Sequence, residues 1–381
     1  MVQTVALKEL CEIDITDGTH KTPIYADQGY IFLSSKNVTS GSIDWDNVMY
    51  IPKELHEELY ARLAPQRDDI LLAKNGTTGI AAIVDRDEVF DIYVSLALIR
   101  PDKRKITPRY LLHAINSEPS KEFFNSHLKG IGVPNLHLTH IRETPIKVPT
   151  FEHQKKIIRV LDKMDNLISL RKQQLAKLDE LVKARFVELF DGKGYPEIAI
   201  GELVASKVSS VKKVFAPTDT IKYIDISSID NKRNVMTGYT EYVLEEAPSR
   251  AQQHIKKGDI VVSTVRPNLK NVAITGYEYD NLVASSGFCV LRAEKCLPVY
   301  LMAVVCSDNF TDAMTKVVTG ANYPAIKDSD VRSYVVSNPP IELQEQFAAF
   351  VEQTDKSKSA IQQSLDKLET LKKALMQKYF G

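Results

Sequence analysis

Residues 152–186 read EHQKKIIRVLDKMDNLISLRKQQLAKLDELVKARF, and residues 342–376 read ELQEQFAAFVEQTDKSKSAIQQSLDKLETLKKALM. In the first string Leu161, Met164, Ile168, Leu175, Leu178 and Val182 recur at steps of three and four, with Arg171 filling one slot. The second string carries Val351, Thr354, Lys358, Ile361, Leu365, Leu368 and Leu371 at the same steps. Such steps collect side chains on one face of an α-helix, and a face sustained over many turns needs an apolar partner. Neither string contains Gly or Pro. Two helices of about 38 residues are expected, each roughly 57 Å long at about 1.5 Å per residue. The nearest partner for each is the other, as an antiparallel pair within one chain.

Around these strings the chain repeats itself at one constant offset. Asp69-Ile70 returns as Asp259-Ile260, Pro108 as Pro298, and Tyr110-Leu111 as Tyr300-Leu301. Gly130, Pro134 and Pro149 return as Gly320, Pro324 and Pro339, while Glu152 and Gln154 return as Glu342 and Gln344. A solenoid repeat is about 20–50 residues; the interval from Asp69 to Asp259 is the length of a whole domain. The expected fold is α+β: two α/β-type globular domains in a pseudo-two-fold repeat, with two long helices that form an antiparallel coiled coil. The expected boundaries are 1–150, 151–192, 193–340 and 341–381.

The strand candidates are 30–33, 69–73, 80–84 and 93–100, rich in Ile, Val and Leu and bounded by Gly, Asp and Pro. Thr107-Pro108 opens a helix, with Thr as cap and Pro in the first turn. The second half gives strands at 259–265, 273–275 and 287–292, then a helix from Leu297-Pro298.

Composition excludes several classes. The 381 residues are 44% hydrophobic and 26% charged, which is ordinary for a globular protein. No apolar run reaches the ~18 residues of a membrane span, and the N-terminal MVQTVALKELCEID lacks a signal-peptide layout; a cytoplasmic location is expected. The 49 basic and 49 acidic residues cancel, so charge alone does not point to nucleic acid. Cys11, Cys289, Cys296 and Cys306 have no metal-binding spacing and read as small apolar residues in a reducing compartment.

Catalytic motifs are scarce: phosphate-binding glycine loops, HExxH and GxSxG are all missing. Asn338-Pro339-Pro340-Ile341 resembles the catalytic Asn-Pro-Pro-aromatic loop of amino-methyltransferases. It has Ile341 where the aromatic would stand, and reads as a proline break before the second long helix. Asp230-Asn231-Lys232 reads as a turn. His127, His137 and His140 have no counterparts at the repeat offset and read as surface or loop residues. Tyr323 reads as packing.

The loops carry a different signal. After the strand ending at Ala73 comes Lys74-Asn75-Gly76-Thr77-Thr78-Gly79, and the second half has Ser263-Thr264-Val265-Arg266-Pro267-Asn268-Leu269-Lys270-Asn271. Cations, amides and hydroxyls are the groups that bond to phosphates and base edges. Ordinary polar turns are the alternative reading; the candidate DNA contacts are Lys21, Lys74, Asn75 and Thr77 in the first half. Lys212, Lys213, Arg266, Asn268, Lys270 and Asn271 are their counterparts in the second. Leu161, Met164, Ile168, Leu175, Leu178, Val351, Ile361, Leu365 and Leu368 are the candidate helix-packing residues. The frame repeats and these loops do not.

Each long helix is approached through Gly-x-x-x-Pro (Gly130…Pro134 and Gly320…Pro324) and a Pro-x-x-Glu-x-Gln junction (149–154 and 339–344). With the opening Asp17-Gly18-Thr19-His20-Lys21-Thr22-Pro23, this arrangement resembles the DNA-specificity subunit of Type I restriction–modification systems over essentially the full length. The first junction has His153 before Gln154 where the family often has Glu, and the second has Leu343 before Gln344. The resemblance implies a non-catalytic subunit whose two target recognition domains each read one half of a bipartite duplex target. It implies that the helices set the spacer and dock two methyltransferase subunits, with motor-nuclease restriction subunits joining for cleavage. S-adenosylmethionine, ATP and Mg would belong to those partners, and none to this chain. A scaffold whose repeated domains bind protein or ligand is the alternative.

Overall fold

The computed structural model describes residues 2–38, 41–128, 134–319 and 324–381; Gly130, Gly320 and Tyr323 lie outside the described residues. The first half runs β1 (Gln3–Ala6), β2 (Thr16–Asp17), β3 (Tyr30–Leu33), β4 (Met49–Ile51), α1 (Lys53–Arg62), β5 (Ile70–Ala73), β6 (Ala81–Ile83), β7 (Phe90–Ile92) and β8 (Leu96–Ile99). It continues with α2 (Pro108–Ile115), α3 (Glu118–Ser126), α4 (Leu138–Arg142), β9 (Pro145–Val148) and α5 (Phe151–Phe190). The second half runs β10 (Glu197–Ala199), α6 (Ile200–Leu203), β11 (Thr220–Ile224), β12 (Ile229–Asp230), β13 (Val235–Met236), β14 (Thr240–Val243) and β15 (Ala251–His254). Then follow β16 (Ile260–Ser263), β17 (Val272–Ile274), β18 (Leu282–Ser285), β19 (Phe288–Leu291), α7 (Pro298–Val305), α8 (Asp308–Lys316), α9 (Asp328–Ser333), β20 (Val335–Ser337) and α10 (Ile341–Phe380).

Contacts divide the chain into one unit of Met1–Lys172 with Gln363–Gly381 and another of Gln173–Gln362. Each long helix is thus shared: residues 151–172 and 363–380 belong to the first unit, and 173–190 and 341–362 to the second.

In the first unit β5 pairs antiparallel with β6 and β8, β3 pairs antiparallel with β4 and parallel with β7, and β1 closes on β9. The second unit repeats these pairings as β16 with β17 and β19, β11 with β14 and β18, and β10 with β20. The expected strand 93–100 begins with a turn and becomes extended only at β8, because Leu96 N–H turns back onto Tyr93 O at 2.9 Å. Strands β5 and β8 are buried on both faces, which is why they read as continuous apolar runs.

Within each unit the helix segments run antiparallel. In the first, Lys372 pairs with Asp165, and Lys172 Nζ lies 3.0 Å from Glu369 Oε1. In the second, Lys358 Nζ is 2.6 Å from Asp179 Oδ1, and the Phe186 and Phe347 rings are 5.6 Å apart. Leu161, Met164 and Leu365 are buried; Ile168, Leu175, Leu178, Val351, Ile361 and Leu368 are half-buried. Leu371 departs from the expected seam: it is 50% exposed, and Lys372 takes the inner position. Counting on from 361, 365 and 368 by the alternating step reaches 372, so the stripe passes Leu371 by. Beyond the seam, Phe380 packs on Tyr110, their ring centres 5.4 Å apart. Phe190 does the same on Tyr300, at 4.9 Å.

Candidate nucleic-acid interface

Several of the repeated polar residues are structural. Gln154 is wholly buried: its Oε1 accepts from Thr107 N–H at 2.8 Å and its Nε2 donates to Pro149 O at 2.9 Å. Gln344 does the same with Leu297 N–H (2.8 Å) and Pro339 O (2.9 Å). The junction glutamine therefore satisfies a free N–H at the start of α2 or α7, where the Thr107 side chain makes no capping bond. Arg100 grips Asp69 through Nε (2.9 Å) and Nη2 (2.8 Å), and Arg292 grips Asp259 at 2.8 and 2.6 Å. Both are bidentate pairs with a buried carboxylate. Asn338 N–H donates to Pro196 O at 2.8 Å, and Pro339 supplies the Gln344 acceptor, so this string is the entry to α10.

The two strand-end loops share one backbone plan. Gly76 N–H donates to Pro134 O (3.0 Å) and Arg266 N–H to Pro324 O (2.8 Å). Lys74 O accepts from Leu136 N–H, and Thr264 O from Ile326 N–H, each at 2.8 Å. Both loops turn through two left-handed residues: Gly76 (φ 75°) and Gly79 (φ 79°) in the first, Arg266 (φ 50°) and Lys270 (φ 52°) in the second. Pairings Leu72↔Ala81 and Val262↔Val272 show the second loop one residue longer. Glycine adopts this region without strain, whereas other residues lose about 1–2 kcal/mol there. The second loop holds long cationic side chains at the left-handed positions where the first has glycines.

The predicted contacts are not equally placed. Arg266 and Asn268 are both exposed, and among the described residues their side chains make no hydrogen bond or ion pair. Lys270 is half-buried and paired with Asp308, whose carboxyl it holds below the usual range through that hydrogen bond. Asn271 is 8% exposed, with its backbone in the hairpin (Ser263 N–H to Asn271 O, 3.0 Å). Lys74 is turned inward at 6% exposure, with its Nζ 3.2 Å from Asp17 Oδ2. An ammonium buried against a carboxylate is a structural pair, so this position does not offer its charge to solvent. Asn75 is half-buried and Thr77 exposed, leaving the first loop with a neutral polar tip. Lys21 is exposed, 4.0 Å from Glu58. Lys212 and Lys213 are exposed on a single turn (Val211–Lys213), next to the Ser210–Gln253 bridge to β15.

Among the described residues only His113, Asp162 and Asp165 cluster with metal-ligand spacing. Arg109 Nη2 already holds Asp162 at 2.7 Å, His113 Nε2 lies 2.9 Å from it, and Lys372 holds Asp165. The group is an ion-pair network tying α2 to α5. All four cysteines are free; burial pushes their thiols up, to about 12 for Cys11, Cys289 and Cys306 and about 11 for Cys296.

The model of the Type I restriction modification DNA specificity domain matches residues 1–180 and again residues 193–371. The chain belongs to this family. A specificity subunit of the type I restriction enzyme MjaVIII from Methanocaldococcus jannaschii is 27% identical over 197 residues, which is 50% of this chain and 46% of that protein. The EcoKI specificity subunit of Escherichia coli K12 is 21% identical over 388 residues, 91% of this chain and 81% of its own length. With the putative MjaX subunit matched over 43% of its length, the chain spans about half the length of the first curated relatives it matches. The fold of this family member is also that of two solved chains. The S subunit of a Type I system from M. genitalium has a TM-score of 0.57 at 13% identity, covering 100% of this chain and 96% of that one. A chain from a type I R-M system studied for complex assembly and conformational transition has a TM-score of 0.55 at 16% identity, covering 100% and 97%.

The sequence did not reveal the Asp17–Lys74 pair, since β3, β4, α1 and β5 all stand between its members. It also held no hint that Asn231 and Asn234 touch the second loop; the only trace is an Asn-x-x-Asn string around Lys232-Arg233.

Proposed function

We propose that this chain is the DNA specificity subunit of a Type I restriction–modification complex and has no catalysis of its own. The observation that carries the reading is that two alike frames hold unlike loops on the same backbone plan. One loop ends in amide and hydroxyl groups, the other in Arg266, Asn268 and Lys270. Arg suits guanine and Asn suits adenine in the major groove. Each unit would read one half of a bipartite duplex target, and different loops would read different bases.

The long helices would act as the spacer. Forty residues each give about 60 Å of helix, or about 18 base pairs at roughly 3.4 Å apiece. The exposed Leu181 (49%) and Leu371 (50%) are repeat-mates in the two helices. They offer two equivalent apolar positions for two like methyltransferase subunits. S-adenosylmethionine would bind those subunits, and ATP and Mg²⁺ would serve the restriction subunits. No helix of the described residues is long and apolar enough to cross a membrane; the assembly would work on DNA in the cytoplasm.

The test is an electrophoretic shift against a random duplex library, with the chain alone and with its methyltransferase subunit. A bipartite consensus in the assembled complex is the expected result. Uniform binding across the library, or binding of a protein in preference to DNA, would leave a scaffold role in its place.

A further inference from the structure

Asp230-Asn231-Lys232 reads in sequence as a turn, yet the structure stitches the segment around it to the second loop. β12 and β13 pair Ile229 with Met236 and Asp230 with Val235. Asp230 Oδ1 accepts from Lys232 N–H (2.9 Å) and Arg233 N–H (3.2 Å), which fixes the reversal. Asn231 Nδ2 then donates to Leu269 O at 2.8 Å. Asn234, itself left-handed at φ 53°, donates from Nδ2 to Lys270 O (3.0 Å) and Val272 O (3.2 Å). Two side-chain amides thereby engage three carbonyls on the exit side of the loop, while the Arg266–Pro324 bond holds the entry side. A loop with two strained residues persists only where its surroundings over-determine it. These bonds supply that constraint.

The same turn carries Lys232 and Arg233, and among the described residues their side chains have no hydrogen bond or ion pair. In a chain of zero net charge, this places two unpartnered cations on the turn that grips the Arg266 loop. At the interval that relates Asp69 to Asp259, the first half of the sequence has Gly41, Ser42, Ile43 and Asp44, with neither the cations nor the amides.

We propose that the turn 230–234 belongs to the DNA-binding surface of the second unit. Lys232 and Arg233 contact backbone phosphates, and Asn231 and Asn234 are positioning residues for the loop that bears Arg266 and Asn268. The proposal rests on the specificity-subunit reading. It makes the second half-site the more salt-sensitive of the two, since each phosphate contact adds about 0.9 to the slope of log affinity against log salt.

The experiment uses the full chain assembled with its methyltransferase subunit, on duplexes carrying both half-sites, either one, or neither. Lys232→Ala with Arg233→Ala should lower the salt slope by about 1.8, weakening specific and non-specific DNA alike. Asn234→Gly, which keeps the left-handed backbone, should leave the slope unchanged and cut discrimination at the second half-site by roughly tenfold, within the usual range for one base contact. Asn231→Ala, which loses one hydrogen bond, should do the same to a smaller extent and guards against a folding defect in the first variant. An unchanged slope in the double variant overturns the phosphate contacts. Equal loss at both half-sites, or full discrimination in both Asn variants, overturns the positioning role. A wild-type complex with no sequence preference fails the underlying functional reading instead, and so is distinguishable.

Discussion

Arg266→Gly should separate the stability of the second unit from its reading of DNA. The wild-type arginine sits at φ 50°, a conformation that costs a residue with a Cβ about 1–2 kcal/mol. Glycine removes that strain but raises unfolded-chain entropy by about 0.4–1 kcal/mol. The guanidinium has no partner among the described residues, so its loss offsets nothing. The net effect is a gain of about 0.8 kcal/mol, with about 1 kcal/mol worth roughly 2–4 °C in a unit of this size. Arg266→Ala keeps the strain and should leave stability unchanged. On the proposed function both variants should lose one base contact worth about 1–3 kcal/mol, or roughly 5–150-fold in discrimination at one half-site. Thermal unfolding of the purified chain gives the first quantity; competition binding of the assembled complex with one half-site scrambled at a time gives the second. If Arg266→Gly were destabilising by more than about 1 kcal/mol, the side chain would be structural. If both variants kept full discrimination at both half-sites, the loop would not be a reader.

Gln154→Leu leaves Thr107 N–H and Pro149 O without their buried partner, a loss of about 2–6 kcal/mol at ~1–3 per group. Gln344→Leu should lose the same in denaturant unfolding, and a neutral result in either would remove the clamp. Deleting one heptad from each long helix shortens it by about 10.5 Å, so the accepted spacer should shrink by about 3 base pairs with both half-sites unchanged; an unaltered spacer argues against the ruler. Burial raises the Asp162 carboxyl, but its bonds to His113 and Arg109 outweigh that and bring it down to about 2. A depressed carboxyl stabilises above its unfolded value of about 3.9 and loses that contribution as pH falls to about 2. The stability gap between wild type and Asp162→Asn should therefore close across that window in acid titrations, and a gap constant with pH would contradict it. Native chain at mildly alkaline pH should resist iodoacetamide at all four cysteines, whose thiols burial raises to about 11 or about 12, and react fully in urea; rapid native labelling would contradict the packing.

What was legible in the sequence was local or repeated. A three-and-four stripe specifies a helix because residues a turn apart share a face, and both long helices appeared where the stripe put them. The echo of one half in the other identified the two like frames, since identical backbone plans reuse the same buried side chains. Leu371 shows the limit of reading by hydrophobicity: the alternating step from 361, 365 and 368 lands on 372, so Lys372 faces inward and the more apolar Leu371 does not.

The candidate interface was legible as loops and illegible as contacts. Lys74 and Arg266 look alike in sequence, as cations just after a strand. Pairing with Asp17 buries one, while the other stands on a left-handed backbone without a partner among the described residues. Asp69, Tyr110 and Gln154 repeat as faithfully as any functional residue would. Their repetition reflects hydrogen bonds that each frame must satisfy, the Tyr110 hydroxyl donating to Lys147 O at 2.9 Å as the Tyr300 hydroxyl donates to Ser337 O at 2.5 Å. The sequence by itself determined the helices, the duplicated frame and the family. The tertiary structure alone decided how each helix is shared between units, which repeated polar groups are clamps, and that the turn at 230–234 holds the second loop. Those outcomes depend on hydrogen bonds and ion pairs between residues far apart in the chain, and no local periodicity encodes such pairings.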